Sequence, residues 1–113
     1  MNSLGIDIGT TGICGIIVDC ENGKILDSVN MNNDSFIKTD KEYERIQSSE
    51  RITEIVEIIV KKLCNAETKA IGISNQMHGI LYADESGKAI SPLYTWQDAR
   101  GNLEYKDSKS YAE

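Results

Sequence analysis

Between two apolar runs, Leu4 to Ile8 and Ile13 to Val18, lies Asp7-Ile8-Gly9-Thr10-Thr11-Gly12, an order of residues suited to phosphate chemistry. Glycine lets a backbone come close to a ligand. Hydroxyls and amides supply neutral donors, and a carboxylate at a strand end can hold a hydrated Mg²⁺. Alternation places Leu4, Ile6 and Ile8 on one face and Gly5, Asp7 and Gly9 on the other, so Asp7 projects on the side without bulk. A Gly-rich hairpin with a capping acid and no ligand fits the same residues, and two further segments weigh against it.

Gln76-Met77-His78-Gly79 lies in the polar corner, opened by Asn75, that follows the expected strand Lys69 to Ser74. Open α/β sheets bind ligands at such strand ends. Here an amide, a thioether and an imidazole suit a polyol: His78 donates or accepts, and Met77 packs on a carbon backbone. Tyr94-Thr95-Trp96-Gln97-Asp98-Ala99-Arg100 is the third segment. Trp96 offers a flat wall for a sugar face, and Asp98 can accept hydrogen bonds from hydroxyls. The competing reading makes Trp96 a core anchor and Asp98–Arg100 an ion pair at a helix start. Neither G-x-x-x-x-G-K-[ST] nor G-x-G-x-x-G occurs, so P-loop and Rossmann sites do not compete.

The elements that must position these residues follow from periodicity. Strands are expected over 3–8 and 13–19, and Asn22-Gly23 is a tight-turn signal leading to a third strand over 24–31. Residues 32–47 read as a polar loop, within which Asn33-Asp34-Ser35 matches a glycosylation acceptor by spacing alone. Ser48 or Ser49 can cap a helix running to about Cys64. Ile52, Ile55, Val56, Ile59 and Leu63 form its apolar stripe, and Lys61 and Lys62 sit near the negative end of its dipole. A fourth strand covers 69–74. Ile80 to Ala83 and Lys88 to Ile90 flank Asp84-Glu85-Ser86-Gly87 as a second hairpin, and the last dozen residues read as helical or frayed. Three strands, a crossover helix and a fourth strand make a mixed sheet in an α/β domain. That is the opening of a ribonuclease-H-like fold of the actin-like ATPase superfamily, with an added β-hairpin.

At 113 residues the chain holds at most one domain, burying roughly 60–70% of its unfolded surface. A net charge of −6 provides no basic stripe for nucleic acid or anionic membrane. It leaves open a nucleotide whose charge is met locally. Cys14, Cys20 and Cys64 form no C-x-x-C pair and are expected as buried, reduced thiols of a cytoplasmic protein. No basic leader precedes an apolar block, and no apolar run approaches ~18 residues.

In order and spacing, the three segments resemble the FGGY family of carbohydrate kinases. Asp7-Ile8-Gly9-Thr10-Thr11 is similar to its first phosphate motif. Gly72-Ile73-Ser74-Asn75-Gln76-Met77-His78-Gly79 resembles the sugar-contacting strand end of its xylulokinase and sedoheptulokinase branch, and Thr95 to Arg100 resembles its W-[NQ]-D-x-R segment. The resemblance covers essentially residues 1–113 and implies the N-terminal part of such a kinase's N-terminal domain, with the C-terminal domain absent. It further implies ATP and Mg²⁺ as cofactors and transfer of the γ-phosphoryl to a ketose hydroxyl. Asp7 would hold the metal; Asp7, Gly9, Thr10 and Thr11 would bind phosphate; Gln76, Met77, His78, Trp96 and Asp98 would line the sugar site. Glycerol kinases carry Arg-Glu where this chain has Met77-His78, which favours a ketose. The family usually has Lys or Arg at the position of Cys14, so phosphate charge must be met otherwise. Its catalytic base and adenosine motif lie beyond residue 113, so the isolated chain is expected to be inactive and, half-covered, to self-associate. Two rivals remain: a non-catalytic ATP- or sugar-binding module of the actin and heat-shock-chaperone superfamily, and a small α/β protein whose motifs are relics.

Overall fold

The computed structural model describes residues 1–106, 109 and 110. In chain order the elements are β1 (Asn2–Ile8), β2 (Gly12–Asp19), β3 (Ile25–Asn32), β4 (Ile46–Gln47), α1 (Ser49–Leu63), β5 (Thr68–Asn75), β6 (Leu93–Tyr94), β7 (Glu104–Lys106) and β8 (Lys109–Ser110). A 3₁₀ turn spans Arg100–Asn102. The chain divides into two compact units, residues 1–34 with 50–76, and residues 35–49 with 77–113.

The first unit is a four-stranded sheet in the order β3-β2-β1-β5, antiparallel except for the parallel pair β1–β5. Gly23 takes the left-handed conformation, φ 72°, in the loop between β2 and β3. Asn22 does not share it, so the loop is longer than the two-residue turn that the Asn-Gly pair signals. One sheet face carries Leu4, Ile6, Ile13 and Ile17, all buried, and meets the buried stripe Ile52, Ile55, Ile59 and Leu63 of α1. Each fully buried isoleucine contributes about 1.5–3 kcal/mol. Gly15 permits this packing: an added Cβ would collide with Ile59 and come within 3.0 Å of Leu63. The opposite face bears Gly5 beside Gly72, and Asp7 between Cys14 and Ser74. β5 ends the sheet, with Ile71 52% and Ile73 61% exposed.

The second unit is held by a narrower ladder. Ile46 and Gln47 of β4 pair with Tyr94 and Leu93 of β6, and single bridges join Phe36 to Gln47 and Ile80 to Tyr94. Its interior is polar: Gln47, Thr95 and Ser35 are buried beside Ile46. Thr95 Oγ1 donates to the Arg45 carbonyl at 2.7 Å, and the Ser48 amide donates to the Ser35 carbonyl at 2.8 Å.

Several expectations change. The 32–47 loop contains β4, a strand too short for alternation to reveal. The hairpin at 80–90 closes on one bridge, Ala83 to Ala89, because the Asp84 carboxylate gathers the Ser86 and Lys88 amides into a tight loop. The helical reading of the last dozen residues gives way to the antiparallel pair β7–β8; its remainder, residues 107–108 and 111–113, lies outside the described residues. Cys14 is half-buried in β2, Cys20 is exposed just beyond that strand, and Cys64 is exposed because α1 ends one residue before it. The half-covered chain expected above nevertheless buries the apolar stripe of α1, Ile52, Ile55, Ile59 and Leu63.

Candidate functional site

Each unit carries one candidate site. In the first, β1 delivers Asp7 to the open face of the sheet, where it is exposed and its Oδ1 accepts a hydrogen bond from Ser74 Oγ at 2.7 Å. Register explains the meeting, because Asp7 lies opposite Cys14 on β2 and opposite Ser74 on β5. A groove of about 380 Å³ runs past Asp7, Cys14 and Ser74 and over Gly5 and Gly72.

The chain then turns tightly: the Gly9 amide donates to the Gly12 carbonyl at 2.9 Å. An added Cβ on Gly9 would lie 2.6 Å from that oxygen, so only glycine fits. Thr10 Oγ1 donates to Gln76 Oε1 at 2.9 Å, and Thr11 is exposed. The turn and the residue opening the Gln76-Met77-His78-Gly79 corner are therefore bonded directly. Among the described residues no group of three or more His, Cys, Asp or Glu could enclose a metal. A lone carboxylate beside a hydroxyl suits Mg²⁺, which keeps most of its waters and takes further oxygens from substrate phosphates.

In the second unit, His78, Tyr82, Tyr94, Trp96, Asp98 and Arg100 line a cavity of about 630 Å³, a size that holds small ligands. His78 sits in the left-handed region at φ 57°, a conformation of the kind that gathers at binding sites. Gly79 beside it packs close to β6, where an added Cβ would come within 3.0 Å of Leu93. Tyr82 and Tyr94 meet edge to face, with ring centres 6.3 Å apart, and Trp96 is 57% exposed.

Arg100 is held by two carboxylates and an aromatic ring. Its Nε donates to Asp98 Oδ1 at 2.8 Å, and its Nη2 reaches Asp98 Oδ2 at 3.1 Å and Glu44 Oε2 at 3.0 Å. Its guanidinium lies 4.3 Å above the Tyr94 ring, a favourable cation–π distance. Asp98 also accepts from the Arg45 amide at 3.0 Å and the Arg100 amide at 3.1 Å, which fills the roughly four lone-pair positions of a carboxylate. Burial pushes the Asp98 carboxyl up, but the hydrogen bonds from Arg100 and the Arg45 amide outweigh it and hold it below the usual carboxylate range. The Asp98 hydrogen bond raises Arg100 well above its ordinary value. The Thr39 hydroxyl, then Arg100, depress Glu44.

The proposed sugar residues thus separate. His78, Trp96 and Asp98 line one cavity, Gln76 turns to Thr10 in the first unit, and Met77 is 71% exposed. Sequence reasoning missed Ser74, the two tyrosines, Glu44 and Asn33. Ser74 alone had a signal, since it alternates with Gly72 on the face that Asp7 shares.

The sheet order, the crossover helix and the glycine turn after β1 define an actin-like ATPase fold of the sugar-kinase kind. The chain belongs to the FGGY family of carbohydrate kinases, matching that family's N-terminal domain over residues 2–110. It is 29% identical over 110 residues to a xylulose kinase of Staphylococcus xylosus, covering 94% of this chain and 22% of that protein. It is 32% identical over 100 residues to an apulose kinase of Pectobacterium atrosepticum, covering 86% of this chain and 20% of that protein. The crystal structure of a gluconate kinase from Lactobacillus acidophilus superposes with a TM-score of 0.78 at 27% identity, over 89% of this chain and 20% of that one. The chain spans about a fifth of the length of these relatives. No helix among the described residues is long and apolar enough to cross a membrane.

Proposed function

We propose that this chain is the N-terminal part of a cytoplasmic, ATP-dependent sugar kinase that transfers the γ-phosphoryl of ATP to a hydroxyl of a ketose. The observation that carries this reading is the Thr10–Gln76 hydrogen bond of 2.9 Å. It ties the glycine turn suited to phosphate to the end of β5, where the Gln76-Met77-His78-Gly79 segment begins. The relatives' names support a small sugar or sugar acid as acceptor; the Met77-His78 pair favours a ketose.

Phosphoryl transfer relies on positioning and charge stabilisation rather than covalent chemistry. Bound Mg²⁺ would neutralise developing phosphate charge. Asp7, steadied by Ser74, would hold it through its waters. Gly9, Thr10 and Thr11 would cradle the γ-phosphate with main-chain and hydroxyl donors. His78 and Trp96 would hold the ketose by hydrogen bonding and by a flat apolar face. Asp98 would serve the sugar site by fixing Arg100 against Tyr94, and Met77 would pack on the sugar's carbon chain. The P–O bond to ADP breaks as the bond to the sugar oxygen forms. The hydroxyl proton passes to a base supplied by the rest of the whole enzyme, so the isolated chain binds without turning over.

Trp96 is the chain's sole tryptophan, so its fluorescence reports the sugar site directly. D-Xylulose is expected to quench it saturably in the 113-residue protein, and Trp96 emission in the His78→Ala variant to stay unchanged. ATP with Mg²⁺ is expected to shift the amide resonances of residues 7–12, with no ADP released in a coupled assay. Absence of both responses would overturn the kinase reading. The exposed edge strand β5, with Ile71 and Ile73, also supports self-association of the isolated chain; clean monomeric sedimentation at millimolar concentration would refute that part.

A further inference from the structure

Asn33 is 6% exposed and stands immediately after β3. Its side-chain Nδ2 donates to the Gly9 carbonyl at 2.9 Å, and its backbone amide donates to the Thr11 carbonyl at 2.9 Å. One residue therefore grips two alternate peptide units of the turn, Gly9–Thr10 and Thr11–Gly12. In a planar trans peptide the carbonyl and the N–H point in opposite directions. Drawing both carbonyls onto Asn33 turns the N–H groups of Thr10 and Gly12 away from it. Two N–H groups directed to the side away from Asn33 are donors that an anion can use.

Asn33 is itself anchored. The next residue, Asp34, receives a forked pair of bonds from Arg51 on α1, Nε to Oδ1 at 2.7 Å and Nη2 to Oδ2 at 3.1 Å. Helix, loop and turn thus form one line of fixed groups. Cys14, opposite Asp7 in register, brings no cation to this end of the sheet. Oriented main-chain dipoles must then supply more of the attraction for phosphate.

We propose that Asn33 is the positioning residue of the phosphate-binding turn, setting the two peptide planes whose amides receive the phosphate. The inference rests on the phosphate role of residues 7–12 given above.

The test is titration of the 113-residue protein with inorganic tripolyphosphate and Mg²⁺, following the amide resonances of Thr10, Thr11 and Gly12. Asn33→Asp keeps the volume and the backbone donor while losing the amide donor, and Asn33→Leu is a near-isostere without charge. Both are expected to bind at least tenfold more weakly than wild type, with the amide shifts of β1, of residues 14–19 in β2 and of β5 unchanged. Should either variant fail to fold, Arg51→Ala, which frees the anchor but leaves Asn33 in place, is expected to weaken binding about threefold. Equal binding by wild type and Asn33→Leu, or weakening confined to Asn33→Asp, overturns the positioning role while leaving the phosphate assignment intact. A wild-type turn that ignores tripolyphosphate removes the phosphate assignment itself, and this role with it.

Discussion

The two candidate sites are built from different materials. Around residues 7–12 the working parts are mostly main chain: a turn closed by its own backbone, glycine where a Cβ cannot fit, and carbonyls held from outside by Asn33. Around residues 78–100 they are side chains: three aromatic rings, an imidazole, and an arginine locked by two carboxylates. The contrast matches the ligands proposed for them. Phosphate oxygens look alike and are met by repeated amides, whereas a sugar's faces and hydroxyls differ and need individual side chains. It follows that the first site is vulnerable to added atoms and the second to removed ones.

The sharpest challenge to that contrast is Gly9→Ala. A methyl 2.6 Å from the Gly12 carbonyl oxygen forces the turn open, and tripolyphosphate binding is expected to fall at least 50-fold. Stability is expected to drop by about 1–3 kcal/mol, the usual cost of overpacking, measured by urea unfolding. Unchanged binding would show that the turn's closure does not matter to phosphate. Next in size is Trp96→Ala, which should cost little stability, the ring being largely exposed, yet is expected to weaken D-xylulose binding about tenfold, measured by calorimetry. Asp98→Ala strips the Arg45 amide and Arg100 of their shared acceptor. About 1 kcal/mol is expected, because the Arg45 amide is exposed and Arg100 partly so, and water can meet the freed donors. The loss is read by hydrogen exchange at the Arg45 and Thr95 amides.

A pH series separates the sites more finely. The Asp98 carboxyl is depressed in the folded protein, so the unfolded chain binds more protons between the two pKa values. Its stabilisation is therefore whole above the ordinary carboxylate value and is lost as pH falls through the depressed one. The melting temperature is expected to be nearly flat from pH 7 to about 5 and to fall below about pH 4. Asp98→Asn should blunt that fall, its deficit against wild type shrinking as the solution is acidified. A constant deficit down to pH 2 would mean that Asp98 acts through its shape rather than its charge.

What could be read from residues alone follows the same division. The sheet, α1 and the Asn22-Gly23 turn were legible because period-2 and period-3.6 patterns and a left-handed glycine leave marks on neighbouring residues. The Asp7 turn was legible because its chemistry is contiguous. Ile46–Gln47 escaped because two residues show no alternation. Asn33 escaped because nothing in Asn-Asn-Asp-Ser distinguishes a side chain that reaches back 24 positions to Gly9. Asp98 looked like a donor-seeking acid because composition cannot show that Arg45, 53 residues earlier, already occupies it. Long-range hydrogen bonds between polar residues carry no periodicity, and both sites depend on them.

The smallest predicted effect tests how far the first site's intolerance of added atoms extends along its own sheet. Gly72 lies beside Gly5 on the face that bears Asp7, in the interior of β5, with nothing within 4 Å of where a Cβ would stand. Gly15, on the opposite face, has Ile59 and Leu63 against it. Gly15→Ala is accordingly expected to destabilise by about 1–3 kcal/mol, while Gly72→Ala should be neutral or stabilising by about 0.4–1 kcal/mol, through a less flexible unfolded chain. Differential calorimetry of the two variants measures the difference. A Gly72→Ala protein that melts well below wild type would mean that something rests closely on the open face in solution. The groove past Asp7 would then be a contact surface rather than a free approach to the turn.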